Sequence, residues 1–151
     1  MEFTGSINSN MSRDDTVALL KNFSVVSRCL PGLESYDEED GTYIARIRLD
    51  ISEMGNSYMS TLSGRIRASY DPSPAGKVSI TASGRVAGSS LKINLNVSVS
   101  EREGGSVAQW TANVDFGILM RLMGEKNLIS VAQSNIDAIM SCITKVLNSG
   151  D

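Results

Sequence analysis

The side chains with chemical potential are few and scattered. Cys29 lies in the stretch Ser27-Arg28-Cys29-Leu30-Pro31-Gly32, Cys142 sits near the other end of the chain, and there is no histidine at all. The commonest general base and the commonest protein metal ligand are therefore missing. Two cysteines alone do not make a structural zinc site, so the expectation is no metal and no cofactor. A cysteine nucleophile needs an activating base or a strongly lowered pKa, and Cys29 has only Arg28 beside it in sequence. An enzyme of cyclase or hydrolase type would have to use Asp, Glu, Tyr or Cys as its base. A disulfide is an option, but the N-terminal Met1-Glu2-Phe3-Thr4-Gly5-Ser6 is polar and has no signal-peptide core. The expectation is a cytoplasmic chain with reduced thiols, in which Cys29 and Leu30 are apolar anchors closing a helical segment. Pro31-Gly32 then reads as the centre of a type II turn into a strand beginning near Leu33.

These residues must be positioned by a single domain, 1–151, whose 41% hydrophobic and 21% charged residues are ordinary for a globular chain. A net charge of −3 gives no footprint for nucleic acid. Arg46/Arg48 and Arg65/Arg67 alternate along strands and read as a solvated sheet face. No run of 18 apolar residues is present, so membrane contact would be peripheral.

Residues 2–9 read as a short strand. Ser12, followed by Asp14 and Asp15, marks a helix start, and two short helices or one broken helix fit the region up to residue 30. From residue 33 the apolar period becomes two. Tyr43, Ala45, Ile47 and Leu49 share one face, as do Leu62, Ile66, Ala68 and Tyr70. Val78, Ile80 and Ala82, then Leu91, Ile93, Leu95, Val97 and Val99, and finally Ala108, Trp110, Ala112, Val114 and Phe116 repeat the pattern. Such strands form an antiparallel sheet with one wet and one apolar face. A broad apolar stripe over 125–147 makes a long helix, whose only large partner is that apolar face. The fold class is α+β: a curved antiparallel sheet of about seven strands wrapped around a long C-terminal helix, with two short helices after the first strand.

Small inward residues, Gly64, Ala68, Ala82, Gly84, Ala108 and Ala112, either let helix and sheet approach closely or leave a cavity lined by aliphatic atoms. In the second case the cavity or its mouth is lined by Leu30, Leu33, Tyr43, Tyr58, Leu62, Ala82, Trp110, Ala112, Asn135, Ile136 and Met140. Asn135 interrupts the apolar side of the last helix and either faces a ligand or bonds to backbone. The segment 117–124 is a candidate mobile lid or greasy contact patch and 54–59 a candidate mouth loop, each equally explained as local core closure.

Met1-Glu2-Phe3-Thr4-Gly5-Ser6, Ser12-Arg13-Asp14-Asp15-Thr16-Val17 and above all Cys29-Leu30-Pro31-Gly32-Leu33-Glu34-Ser35, with Gly117 and Gly124 flanking a hydrophobic link, resemble the carbon monoxide dehydrogenase G-subunit family. That family belongs to the START-like or Bet v 1-like (polyketide cyclase, SRPBCC) superfamily of helix-grip folds. The resemblance implies a cavity between sheet and helix that takes a hydrophobic small molecule or lipid. It also implies a non-enzymatic accessory role beside a molybdenum-containing dehydrogenase, at the inner face of the membrane, as monomer or homodimer. Alternatives are a ligand-free assembly or membrane-recruitment adaptor, or a cyclase-type enzyme. The family carries no agreed catalytic residues, and Asn135-Ile136 stands where relatives commonly have an aromatic pair.

Overall fold

The computed structural model describes residues 1–50 and 61–149. In chain order the elements are β1 (Glu2–Ser9), α1 (Arg13–Leu20), α2 (Phe23–Val26), a 3-10 turn (Ser27–Cys29), β2 (Leu33–Glu39), β3 (Thr42–Asp50), β4 (Thr61–Asp71), β5 (Lys77–Val86), β6 (Ser89–Arg102), β7 (Gly105–Asp115), α3 (Leu119–Met123) and α4 (Glu125–Leu147). The strands form one seven-stranded sheet in the order β1-β7-β6-β5-β4-β3-β2. Every pairing is antiparallel. Strands β2 to β7 are thus a continuous meander, and β1 pairs with the last strand. The chain crosses from β1 at one edge to β2 at the other through α1, α2 and the 3-10 turn. This is the sheet-and-helix architecture the periodicity predicts, in the helix-grip form the resemblance implies.

Local chemistry explains the junctions. The Ser12 hydroxyl accepts from the Asp15 amide at 3.1 Å, capping α1. The Asn22 side chain accepts from the Ser24 amide at 3.2 Å and starts α2. Proline at position 31 cannot donate to a helix and disfavours helical geometry at Leu30, and Leu30 is extended with φ −86° and ψ 114°. Gly32 takes φ +72°, as the second central residue of a type II turn must. The turn closes from the Leu33 amide to the Leu30 carbonyl at 3.4 Å, and the Gly32 carbonyl accepts from the Arg48 amide at 2.8 Å, so it is hooked onto β3.

Gly64 and Gly84 face inward in neighbouring strands, where Gly64 opposes Val86 and Ile66 opposes Gly84. A Cβ at either would run into backbone of the adjacent strand, at the Arg85 carbonyl for Gly64 and the Arg65 carbonyl for Gly84. The missing side chains serve close strand approach in a strongly bent sheet; a ligand does not occupy that space. A chain of buried hydroxyls ties α1 to both strands at the first edge. Ser9 Oγ lies 2.9 Å from Thr16 Oγ1, which lies 3.0 Å from Ser106 Oγ, and Ser106 donates to the Met11 carbonyl at 2.9 Å.

The expectation of reduced thiols is corrected. Cys29 and Cys142 form a disulfide, with Cα atoms 5.4 Å apart. It joins the turn before β2 to the later half of α4. Cys29 is also the buried apolar anchor expected of it, at 5% exposure. Sequence reading missed the bond because nothing local tells which rung of a helix lies against a turn 113 residues away.

Candidate functional site

The core is divided. One buried cluster gathers Phe3, Ile7, Cys29, Val78, Val97, Val99, Ala108, Trp110 and Ala112 around Ile143 and Leu147, near the end of α4. A second gathers Leu62, Val86, Leu91, Leu119 and Met123 around Leu128 and Val131, near its start. The inward aliphatics of the middle of the sheet belong fully to neither. Ile66 and Ala68 of β4, Ile80 of β5, and Ile93 and Leu95 of β6 are only half-buried, although they face the helix side from the central strands. On α4, Ala132, Asn135, Ile136, Ile139 and Met140 are half-buried too. A packed two-layer core would bury such positions completely. Their residual exposure leaves apolar surface uncovered along the interval between sheet and α4.

The sequence-derived lining residues divide accordingly. Leu62, Ala82, Trp110 and Ala112 are buried in the core. Leu30, Leu33, Tyr43, Asn135, Ile136 and Met140 are half-buried. Tyr58 lies outside the described residues, as does the candidate loop 54–59. The Trp110 ring occupies the space above Gly5, where a Cβ would come within 2.6 Å of it. Asn135 Nδ2 donates to the Val131 carbonyl at 2.8 Å, one turn back on its own helix. This is the backbone alternative left open by the sequence, and it lets an amide sit on an apolar stripe with its donor occupied. Sequence reasoning missed Ile66, Ile80, Ile93, Leu95 and Ile139. All were legible as inward-facing; their incomplete burial was not.

An aromatic group gathers Phe23 of α2 with Tyr36, Tyr43 and Tyr70. Phe23 stacks on Tyr43 with ring centres 4.3 Å apart at 21°, and Tyr36 meets Phe23 edge-on at 4.9 Å. Tyr70 meets Tyr43 edge-on at 6.2 Å and donates its hydroxyl to the Leu20 carbonyl at 2.7 Å. Burial, and secondarily the nearby Tyr43, pushes the Tyr70 phenol up to about 12. Desolvation raises Tyr43 as well, with a hydrogen bond to Glu38 and that residue's charge adding to it. Both phenols stay neutral near neutral pH, as packing groups and hydrogen-bond donors, and neither is poised as a base.

The link 117–124 contains α3. Leu119 and Met123 are buried, whereas Ile118 and Leu122 on its other side are 53% and 52% exposed. The link thus closes the core with one side and exposes apolar side chains on the other. A wide-open groove of about 560 Å³ lies near it, lined by Met1, Lys92, Asn94, Asn113, Asp115, Phe116 and Met120 among others. It opens on the wet face of β6 and β7, so it is not the sheet–helix interval. Among the described residues there is no group of three or more His, Cys, Asp or Glu that could hold a metal ion. No described helix is long and apolar enough to cross a membrane.

Solved structures share this architecture. A conserved protein from Geobacillus kaustophilus superposes with a TM-score of 0.80 at 16% identity, covering 97% of this chain and 95% of that one. The ZhuI aromatase/cyclase from Streptomyces sp. R1128 gives 0.66 at 11% identity, covering 97% and 93%. A protein from Thermus thermophilus gives 0.58 at 12%, covering 97% and 99%. At such identities the likeness is one of fold. No curated protein matches the chain. The family model of the carbon monoxide dehydrogenase G subunit (CoxG) matches residues 5–148, and this shows that the chain belongs to the CoxG family.

Proposed function

We propose that the protein holds a hydrophobic small molecule or lipid in the interval between the sheet and α4, without transforming it, as an accessory to a molybdenum hydroxylase or carbon monoxide dehydrogenase-like complex. The observation that carries the reading is the divided core. Ile80, Leu95, Ile136, Ile139 and Met140 beside the first cluster, and Ile66 and Ile93 beside the second, are only half-buried, and apolar area left uncovered between two layers is stabilised by an apolar occupant at about 25 cal/mol per Å². Among the described lining residues polar groups are few, and Asn135, whose Nδ2 donates to its own helix, keeps its Oδ1 as an acceptor. A ligand would therefore be recognised by shape and apolar area. Membership of the CoxG family supports the accessory role, and the cytoplasmic side of the membrane is the setting it implies.

Native mass spectrometry before and after organic extraction tests this. The expected result is a bound mass that extraction removes and that returns on adding the extract. A protein that is mass-pure as isolated and takes up no apolar compound would overturn it.

A second reading, an assembly adaptor needing no ligand, is favoured by exposed Ile118 and Leu122 on α3. It predicts that Ile118→Asp with Leu122→Asp abolishes association with the dehydrogenase while leaving the bound mass unchanged.

A further inference from the structure

The sheet's wet face carries a feature that the sequence alone disperses. Arg46 of β3 lies directly opposite Arg65 of β4, and Arg65 lies directly opposite Arg85 of β5. Three guanidinium side chains thus form one row across three adjacent strands. The flanking rows add Arg48 on β3, Arg67 on β4 and, beyond Ser83, Lys92 on β6. Five of the nine arginines of a chain with net charge −3 gather on this one face, and all five are exposed. The acidic residues on this face include Asp37, paired with Arg46 at 3.3 Å, Asp50 at the register position beyond Arg48, Asp71, which accepts from Thr81 at 2.7 Å, and Asp115, opposite Lys92 at the far margin. Like charges directly opposite one another destabilise a sheet, so the fold gains nothing from this row.

We propose that this arginine row is the docking surface for a carboxylate-rich patch on a partner protein. The guanidinium fork matches carboxylate oxygens in pairs, and the Asp37–Arg46 contact is an example within the chain. Adjacent strands are about 4.8 Å apart and alternate residues of one strand about 6.7 Å, so the row spans about 10 Å. That is close to the screening length of about 8 Å at physiological salt. A partner patch of that size feels the arginines and little of the chain's negative remainder, whereas an extended polyanion or a membrane sheet faces the net −3. The ladder rows place no aromatic residue on this face, which leaves nothing for nucleic-acid bases to stack on. The exposed Ile118 and Leu122 lie on α3 and not within the arginine rows. The area is that of a transient, salt-sensitive contact.

The test uses the full chain and a fluorescent ten-residue polyglutamate peptide at near-physiological salt. Saturable binding is expected, with phenylglyoxal labelling of Arg46, Arg65 and Arg85 slowed by the peptide and that of Arg102 and Arg121 unchanged. Arg65→Ser with Arg67→Ser is expected to weaken binding about tenfold or more, and Lys145→Ser, a cation on α4, to leave it unchanged. The double variant keeps a wet strand pattern already built from Ser63 and Ser69, and its unchanged or raised melting temperature would show that it folds. Absent binding, undiminished binding by the double variant, or preference for phosphatidylglycerol vesicles or a single-stranded oligonucleotide would each overturn the proposal.

Discussion

At the residue scale, the Cys29–Cys142 bond and the Tyr70 hydroxyl carry the sharpest consequences. A disulfide closing a loop of 113 residues limits the unfolded chain and stabilises by about 2–5 kcal/mol. Cys142→Ser, or treatment with a dithiol, is therefore expected to lower the denaturation midpoint correspondingly, and alkylation before reduction should label neither cysteine. Tyr70 titrates near 12 when folded, against 10.0 for an ordinary tyrosine. A raised acid pKa means that the unfolded chain ionises first. The contribution is fully present below pH 10 and is lost as pH rises through the folded value near 12. Denaturation midpoints across that window should fall less steeply for Tyr70→Phe, which at neutral pH loses about 1 kcal/mol with the bond to Leu20. The turn at Pro31-Gly32 was legible because proline and glycine act through their own backbone. The covalent partner of the neighbouring Cys29 was not, since it depends on where α4 comes to lie.

At the element scale, α4 is fastened at both ends and loosely packed between. Leu128 is 1% exposed inside the second cluster, and Leu128→Ala should cost about 2–5 kcal/mol by transfer and cavity terms. Ile139 is half-buried over the gap. Ile139→Trp is expected to fold with stability near that of the parent and to take up much less apolar ligand, measured by native mass spectrometry; a large loss of stability would show that the interval is already full. Gly84→Val should be severely destabilising in thermal melts, because its Cβ would meet the Arg65 carbonyl of the neighbouring strand. Strand existence and inward parity were legible in the two-residue period. The reason for Gly64 and Gly84 was not, since a close-approach glycine and a ligand-facing glycine look the same in sequence.

At the scale of the whole molecule, the two proposals use opposite faces of the sheet. The concave side meets α4 across two separated clusters and leaves apolar area between them. The outer side brings Arg46, Arg65 and Arg85 into one row. If both assignments hold, ligand loading and partner docking are separable. Filling variants such as Ile139→Trp should leave peptide binding intact, and Arg65→Ser with Arg67→Ser should leave the bound mass intact.

By itself the sequence determined the fold class, the extents of β1 and α4 and which side of each strand is apolar, but not the turn at Asp40-Gly41 between β2 and β3 or the short helix α3. The legible features follow from local period, caps and turns, whose physics acts within a few residues. Tertiary structure decided what distance and register control. It joined Cys29 to Cys142, placed the Trp110 ring over Gly5, turned the Asn135 amide back onto Val131, and left the middle aliphatics of sheet and helix half-covered. It also aligned arginines from three strands that the sequence holds apart by up to 39 positions, from Arg46 to Arg85. Pairing register sets that alignment, and no single strand encodes the register of its neighbours.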